Sequence, residues 1–493
     1  IMGMVALSSK NSIIVTLEIF KKPNPNFRRV IMITNAKDFY ASIQGKRVAF
    51  CGIGGSNLPL ISIFQKKGAV VLACDKRDRE KLGETGEKLE NQGVELHLGE
   101  AYLKNLNADI IFRTPGMPYY LPELVQAREQ GVVVTSEMEV FFDLCPCGIY
   151  AVTGSDGKTT TTTIISEMLK AAGKTVHLGG NIGCPLLPKV EEIRKDDVAV
   201  VELSSFQLIS MRKSPDVAVV TNLAPNHLDI HKDMQEYIDA KKNIILHQNA
   251  FGRAILNLDN EITRGLAPLV RGELSYFTRQ HTTDRGVCLN GGAICHRRNG
   301  VVSRIMDVKD IRIPGNHNVE NYMAAIAAVW GEVSPEQMRQ VAESFPGVEH
   351  RAEFVRNVDG ADYYNDSIAS SPTRTISGTL SLYSQKIILI AGGYDKKIPY
   401  DAMGPVVNEK VKLLILMGNT ADKIQSAVTK AENYDPQAIR IIRVENMEEA
   451  VETAHRLAQK GDVVSLSPAS ASFDLYPNFA ARGNHFKQLV NAL

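Results

Sequence analysis

The sequence has almost no excess charge: 56 Lys and Arg stand against 55 Asp and Glu, a formal net charge of +1 over 493 residues. That balance excludes the broad basic footprint of a nucleic-acid-binding chain, so any anion site has to be local. A run of about 18 apolar residues is also missing, which excludes a membrane-spanning helix. Residues 12–20 are partly apolar but carry Glu18, lack a small-residue cleavage site and are followed by Lys21-Lys22-Pro23, so they read as neither signal peptide nor anchor. Cysteine is sparse. The seven, Cys51, Cys74, Cys145, Cys147, Cys184, Cys288 and Cys295, are odd in number and scattered, which argues against a disulfide framework and for the reduced thiols of a cytoplasmic protein. Cys145 and Cys147 flank Pro146 with no second pair at zinc-finger spacing, so they read as a feature of a loop. Internal repeats and low-complexity tracts are absent too.

What remains is an ordinary globular composition, 44% hydrophobic and 23% charged. At the usual domain size the length implies roughly three domains. The hydrophobic pattern gives three α/β segments in series, expected at 41–147, 148–346 and 347–493. A stretch of 1–40 reads as an N-terminal extension, since Met32 is a more natural beginning than Ile1. The fold class expected is α/β: a Rossmann-like N-terminal domain, a central P-loop ATPase-like domain with a small antiparallel insert, and a Rossmann-like C-terminal domain.

In the first segment, Arg47-Val-Ala-Phe-Cys51 runs into Gly52-Ile-Gly54-Gly55-Ser56-Asn57, and a second strand ends at Asp75. This is the βαβ layout of a dinucleotide site, with an acidic residue about 20 positions after the glycines. Asn57 stands where the third glycine belongs.

The second segment carries the stronger signal. An apolar strand leads into Thr153-Gly-Ser-Asp-Gly-Lys-Thr159, a glycine-framed lysine at a strand-to-helix junction. Backbone N–H groups turned inward at Gly154 and Gly157, the charge of Lys158 and the Thr159 hydroxyl suit a nucleotide phosphate with Mg²⁺. A full Walker A motif would have its first glycine at position 152, which is Val152. Glu202 closes the apolar run Val198-Ala-Val-Val-Glu202, where a further Mg²⁺ ligand is needed. The strand from Val217 leads to Asn222 and His227, placed for metal or substrate contact. Lys241, on a following helix, reads by itself as a solvated charge. Asn290-Gly-Gly292 and Arg298-Asn-Gly300 mark the turns of the antiparallel insert. In the third segment Gly392-Gly393, Gly418 and Ser467-Pro468 follow strands at what would be the ligand-facing edge of an open sheet.

Taken in order, Thr153–Thr159, Gly180-Asn-Ile-Gly183, Glu202-Leu-Ser-Ser-Phe-Gln207, Asn222 through His227-Leu-Asp, Lys241, His317-Asn-Val-Glu-Asn321, His350-Arg351, Asn365-Asp-Ser367 and Leu466-Ser-Pro-Ala-Ser-Ala-Ser472 resemble the motifs of the Mur ligases. The likeness runs from about Gly45 to the C-terminus. It implies an ATP-dependent amide ligase of peptidoglycan precursor synthesis that phosphorylates a carboxylate and lets an amine attack the acyl phosphate, releasing ADP and phosphate. The substrates it implies are UDP-N-acetylmuramoyl-L-alanine and D-glutamate, with ATP and two Mg²⁺, in a cytoplasmic monomer.

The resemblance also implies roles. ATP is expected on Ser155, Asp156, Gly157, Lys158, Thr159, Thr160, Thr161, Asn321, Arg351 and Asp366. Thr159 and Glu202 would serve one Mg²⁺ and His227 a second. Lys241 matches a lysine that becomes carbamylated, and Lys158, His227 and Lys241 form the expected catalytic set. The nucleotide-sugar is expected on Gly54, Ser56, Asn57, Asp75, Lys76 and Asn181, and the amino acid on Ser370, Lys396, Ser472, Phe473 and Phe479. A site shared between segments implies domain closure during turnover. One departure stands out: after Asn365-Asp-Ser367 many members carry Lys-Ala-Thr, whereas this chain reads Ile368-Ala369-Ser370. That removes a cation where D-glutamate would bind. Three alternatives stay open: another Mur ligase or a folylpolyglutamate synthase-like ligase, a nicotinamide-dependent oxidoreductase using the first segment, and a non-catalytic nucleotide-binding protein.

Overall fold

The computed structural model describes Ile33, residues 35–225 and residues 230–493. They fall into two compact units, residues up to 306 together with 320–338, and residues 307–319 together with 339–493. Among the described residues there are three sheets.

The first sheet comprises β1 (Arg47–Cys51), β2 (Val70–Asp75), β3 (Glu95–Leu98), β4 (Ile110–Arg113) and β5 (Val133–Thr135) in the order β3-β2-β1-β4-β5, all parallel. Chain order reverses at β1, so the turns after β1 and β4 open a crevice at the carboxyl edge. Gly52, at φ +93°, passes so close to Thr114 that a Cβ would sit 2.5 Å from its Cγ2. Residues 36–42, which straddle the end of the stretch set apart as an extension, form a helix capped by Asn35, and its Phe39 and Tyr40 are buried against Phe64.

The central sheet comprises β6 (Gly148–Thr153), β7 (Val176–Gly180), β8 (Val198–Glu202), β9 (Val217–Val220), β10 (Arg253–Asn257), β11 (Glu273–Thr278), β12 (Arg285–Asn290), β13 (Ala293–Arg298) and β14 (Val301–Asp307). Its order is β14-β13-β12-β11-β10-β9-β6-β8-β7. The expected insert does not stand apart. Its strands extend this sheet, β11 pairing parallel with β10 and β12, and β12 and β13 form an antiparallel hairpin. Val152, Val200, Val201 and Val219 are fully buried, each burial contributing roughly 1.5–3 kcal/mol. Covered on both faces, these strands have to be continuous apolar runs. β6 lies between β8 and β9, so the loops after all three strands emerge side by side.

The second unit is built on β15 (Glu353–Val358), β16 (Ala361–Asn365), β17 (Ile387–Ala391), β18 (Val411–Leu416), β19 (Arg440–Arg443) and β20 (Val463–Leu466), in the order β15-β16-β20-β17-β18-β19. Only β15 runs antiparallel to its neighbour. The loops after β16, β17 and β20 share the carboxyl edge.

Candidate functional site

At the end of β6 the chain turns through Gly154 into the helix Lys158–Ala171. Gly157 is the cap residue, at φ +75°, a conformation costly for a side chain. A Cβ at this position would also collide with Asn321 Oδ1. Asn321 therefore reaches the phosphate loop itself, and it accepts from Thr161 Oγ1 at 3.2 Å. Lys158 folds back over the loop, its Nζ donating to the carbonyls of Gly154 (3.0 Å) and Ser155 (2.9 Å). The far side of the loop is tied to the segment after β9. Ser155 N–H donates to Asn222 O, Asp156 N–H to Asn222 Oδ1, and Thr221 Oγ1 to Asp156 O. Ser155 Oγ is buried, donating to Ala224 O with Tyr237 OH at 3.0 Å. Thr160 and Thr161 are also buried.

The carboxylate of Glu202, at the end of β8, is the meeting point. Thr159 Oγ1 donates to Oε2 at 2.6 Å and Asn181 Nδ2 to Oε1 at 2.7 Å, with only 2% of Glu202 exposed. Asn181 N–H also donates to Glu202 O, and a Cβ on Gly180 would collide with that same carbonyl. The structure thus joins the phosphate loop to the Gly180–Gly183 turn through one acidic side chain. An oxygen-only donor set of hydroxyl and carboxylate beside a glycine cradle fits Mg²⁺ with a triphosphate.

Lys241 is not the solvated charge that its helix position by itself suggests. It is 2% exposed, and its Nζ donates to Thr153 Oγ1 and Gly154 O, both at 2.9 Å, 4.9 Å from the Tyr237 ring centroid. Burial, and then the charge of Lys158, hold its ammonium well below the usual lysine range, with Glu202 pulling the other way. Such a lysine spends far more of its time as a neutral amine than an exposed one. His227, the other expected ligand, lies outside the described residues.

In the first sheet, Gly54 is exposed and Ser56 half-buried at the crevice. Asn57 points inward: its Nδ2 faces the carbonyls of Cys51, Gly52 and Phe112, and it is fully buried. It stitches the ends of β1 and β4 together, a positioning task the missing third glycine could not perform. Asp75 receives Ile53 N–H on Oδ2 and Arg77 on both oxygens, and Arg77 also donates to Ile53 O. A carboxylate so engaged is poorly placed to take the ribose hydroxyls of a nicotinamide nucleotide. Lys76 is exposed, 3.6 Å from Glu100.

In the second unit, Ser370 Oγ lies 3.5 Å from Lys396 Nζ. Ser472 is buried, Phe473 is exposed and packs edge-on to Tyr394 at 5.9 Å, and Phe479 lies edge-on to His350 at 5.8 Å. Asp366 is buried, accepting from Thr379 Oγ1, Ser467 Oγ and Ala352 N–H; burial raises its carboxyl to about 6. Arg351 is exposed and its charge acts on Asp366.

Three arginines escaped the sequence reading. Arg77 clamps Asp75. Arg113, 1% exposed at the end of β4, donates to Phe206 O and Ser210 Oγ at 2.8 Å and so ties the first sheet to the central one. Arg482, also 1% exposed, donates to Ser367, Ser470 and Ala471 and fixes two motifs of the second unit. The available signal for Arg113 was a cation closing the apolar run Ile110-Ile-Phe112.

Residues 46–136 match the Mur ligase MurD-like N-terminal domain, residues 152–329 the Mur ligase middle domain and residues 350–470 the Mur ligase glutamate ligase domain. The chain is 54% identical over 465 residues to a UDP-N-acetylmuramoylalanine--D-glutamate ligase of Acetivibrio thermocellus, covering 94% of this chain and 100% of that one. A ligase of the same name from Ruminiclostridium cellulolyticum is 49% identical over 468 residues, again covering 94% and 100%. Among solved structures, the UDP-N-acetylmuramate-alanine ligase MurC of Thermotoga maritima superposes with a TM-score of 0.54 at 17% identity, over 91% of this chain and 99% of that one. That likeness speaks for the fold.

Proposed function

The chain belongs to the Mur ligase family, and from its site we infer that it joins D-glutamate to UDP-N-acetylmuramoyl-L-alanine at the expense of ATP. The observation that carries this reading is the convergence on Glu202. Thr159 of the phosphate loop holds one carboxylate oxygen and Asn181, in the turn expected to face the muramoyl group, holds the other. On this reading the nucleotide end and the acceptor end of the reaction meet at one side chain.

The chemistry requires two anions, a triphosphate and a carboxylate, to be brought into line. Lys158 places its charge on the loop. Thr159 and Glu202 would hold Mg²⁺, which when bound neutralises phosphate charge. The substrate carboxylate then attacks the γ-phosphorus and ADP departs. The amine of the amino acid attacks the acyl phosphate, and phosphate leaves. A lysine whose ammonium is disfavoured by burial beneath the loop suits carbamylation, because CO₂ reacts with the free amine. Carbamylated Lys241, with His227, is our reading for a second Mg²⁺. Arg351 and Asp366 are read as nucleotide contacts and the Ser370–Lys396 pair as the amino-acid contact, in a monomer acting on small molecules in the cytoplasm.

Phosphate release measured with ATP, UDP-N-acetylmuramoyl-L-alanine and a panel of amino acids tests the assignment. Strongest stimulation by D-glutamate is expected despite Ile368. Preference for a diamino acid or L-glutamate would shift the reading to another ligase of the family.

A further inference from the structure

The seven cysteines are less scattered in space than in sequence. Cys51 and Cys74 are register partners on β1 and β2, and Cys288 and Cys295 on β12 and β13. Both pairs are buried inside sheets. The third pair differs. Cys145 ends the helix Glu137–Leu144, its N–H on Phe141 O, and Cys147 precedes β6, the strand that feeds the phosphate loop. Their sulfur atoms lie 3.6 Å apart, and Cys145 is partly exposed whereas Cys147 is buried.

We propose that Cys145 and Cys147 are a peroxide-sensitive dithiol that closes reversibly to a disulfide in the linker ahead of the phosphate loop. Covalent geometry keeps residues two apart within about 7 Å between Cα atoms, the upper edge of the span a disulfide bridges. The sulfur atoms are in contact, so closure needs a side-chain rotation and a small adjustment about Pro146 rather than a refolding. The two thiols are also unequal. The hydrogen bond with Cys147 lowers Cys145 below the usual thiol range against the opposing effect of burial, and Lys213, whose Nζ sits on Phe142 O, adds to the lowering. The same contact and burial raise Cys147. Cys145, the more accessible of the two, is thus the nucleophile and Cys147 the resolving thiol.

The step balances with a hydroperoxide as oxidant. Cys145 Sγ attacks one peroxide oxygen, the O–O bond breaks, and a sulfenic acid and one water result from hydrogen peroxide. Cys147 Sγ attacks the sulfenic sulfur, the S–O bond breaks, and hydroxide leaves with the Cys147 proton as a second water. Two thiols lose two protons and two electrons, and the peroxide takes up both to become two waters.

Exposed Cys184 provides an internal comparison. The full chain is treated with hydrogen peroxide, alkylated, digested and mapped by mass spectrometry. The peptide holding Cys145 and Cys147 is expected to lose two hydrogens and both alkylation sites, ahead of any change at Cys184, and to regain both sites after dithiothreitol. In Cys147→Ser, Cys145 is expected to stop as a sulfenic acid trapped by dimedone. Oxidation of Cys184 with the pair still alkylatable would overturn the proposal, and so would conversion of wild-type Cys145 to sulfinic acid without pairing.

Discussion

Lys241 carries much of the chemistry at the residue scale. An ammonium 2% exposed, donating to Thr153 and Gly154 beneath a cationic loop, is in a place where charge is costly, and a carboxylate-like ligand there would be favoured by bound cations. Lys241→Ala is expected to lower ligation by about 100-fold or more. Short carboxylates such as formate should restore part of it; absence of rescue, together with an unmodified lysine in a crystal structure, would count against carbamylation. The reading of Lys241 by itself as a solvated charge passed over a signal that was in the sequence. Tyr237, Ala240, Lys241, Ile244 and Ile245 form the buried stripe of the helix Met234–Leu246, and a lysine at helical spacing within an apolar stripe is either paired or neutral. Glu137 is a comparable case outside the chemistry. Its Oε1 accepts the N–H groups of Leu186 and Leu187, and burial lifts its carboxyl from an ordinary 4.5 to about 7. Between those values the unfolded chain ionises while the folded chain keeps its proton. Stability is therefore full below about pH 4.5 and declines as pH rises toward 7, by up to roughly 3 kcal/mol. Glu137→Gln keeps an acceptor for both N–H groups and should remove that slope. Urea melts of the two proteins at pH 5 and pH 7.5 compare them directly, and parallel slopes would refute the assignment.

Among elements, the strand-to-loop junctions decide where the chemistry sits. Gly157 answers two demands together, a left-handed backbone and the close approach of Asn321. Gly157→Ala should cost about 1–3 kcal/mol and raise the KM for ATP. Adding Asn321→Ala removes the collision but not the strained backbone, so the double variant should recover only part of the lost stability in thermal melts. Full recovery would show that the backbone conformation costs nothing. The strands that lead to these junctions were readable from apolar runs: Val198–Glu202 and Val217–Val220 stand where those runs are, and Ile387–Ala391 ends just before Gly392-Gly393. Strands such as Glu95–Leu98 and Arg440–Arg443 were not, because they lie at sheet edges and mix charged with apolar side chains. In the helix Asn316–Val329, residues 322–329 are buried all round, which a motif-based reading does not register. Its run of alanines was the unused signal.

On the scale of the whole molecule, the first and central sheets have to present their crevices to one substrate, and their connection is polar where a core would ordinarily be apolar. Arg113 donates to Ser210 Oγ, which donates to Glu139 Oε2 at 2.9 Å, and Ser136 donates to the same oxygen. Burial lowers the Arg113 guanidinium and raises the Glu139 carboxyl, each pushed toward its uncharged form. Removing one partner therefore leaves the other charge buried with less compensation, whereas removing both removes the problem. Arg113→Met is expected to cost about 3–5 kcal/mol and to weaken nucleotide-sugar binding, because β4 and its loop are no longer anchored to Phe206. Arg113→Met with Glu139→Gln should regain much of the stability without regaining the affinity. That split, read from thermal melts and from calorimetric titration with UDP-N-acetylmuramoyl-L-alanine, separates a buried pair kept to align two sheets from one kept for stability. Recovery of stability and affinity together would assign the pair to stability alone.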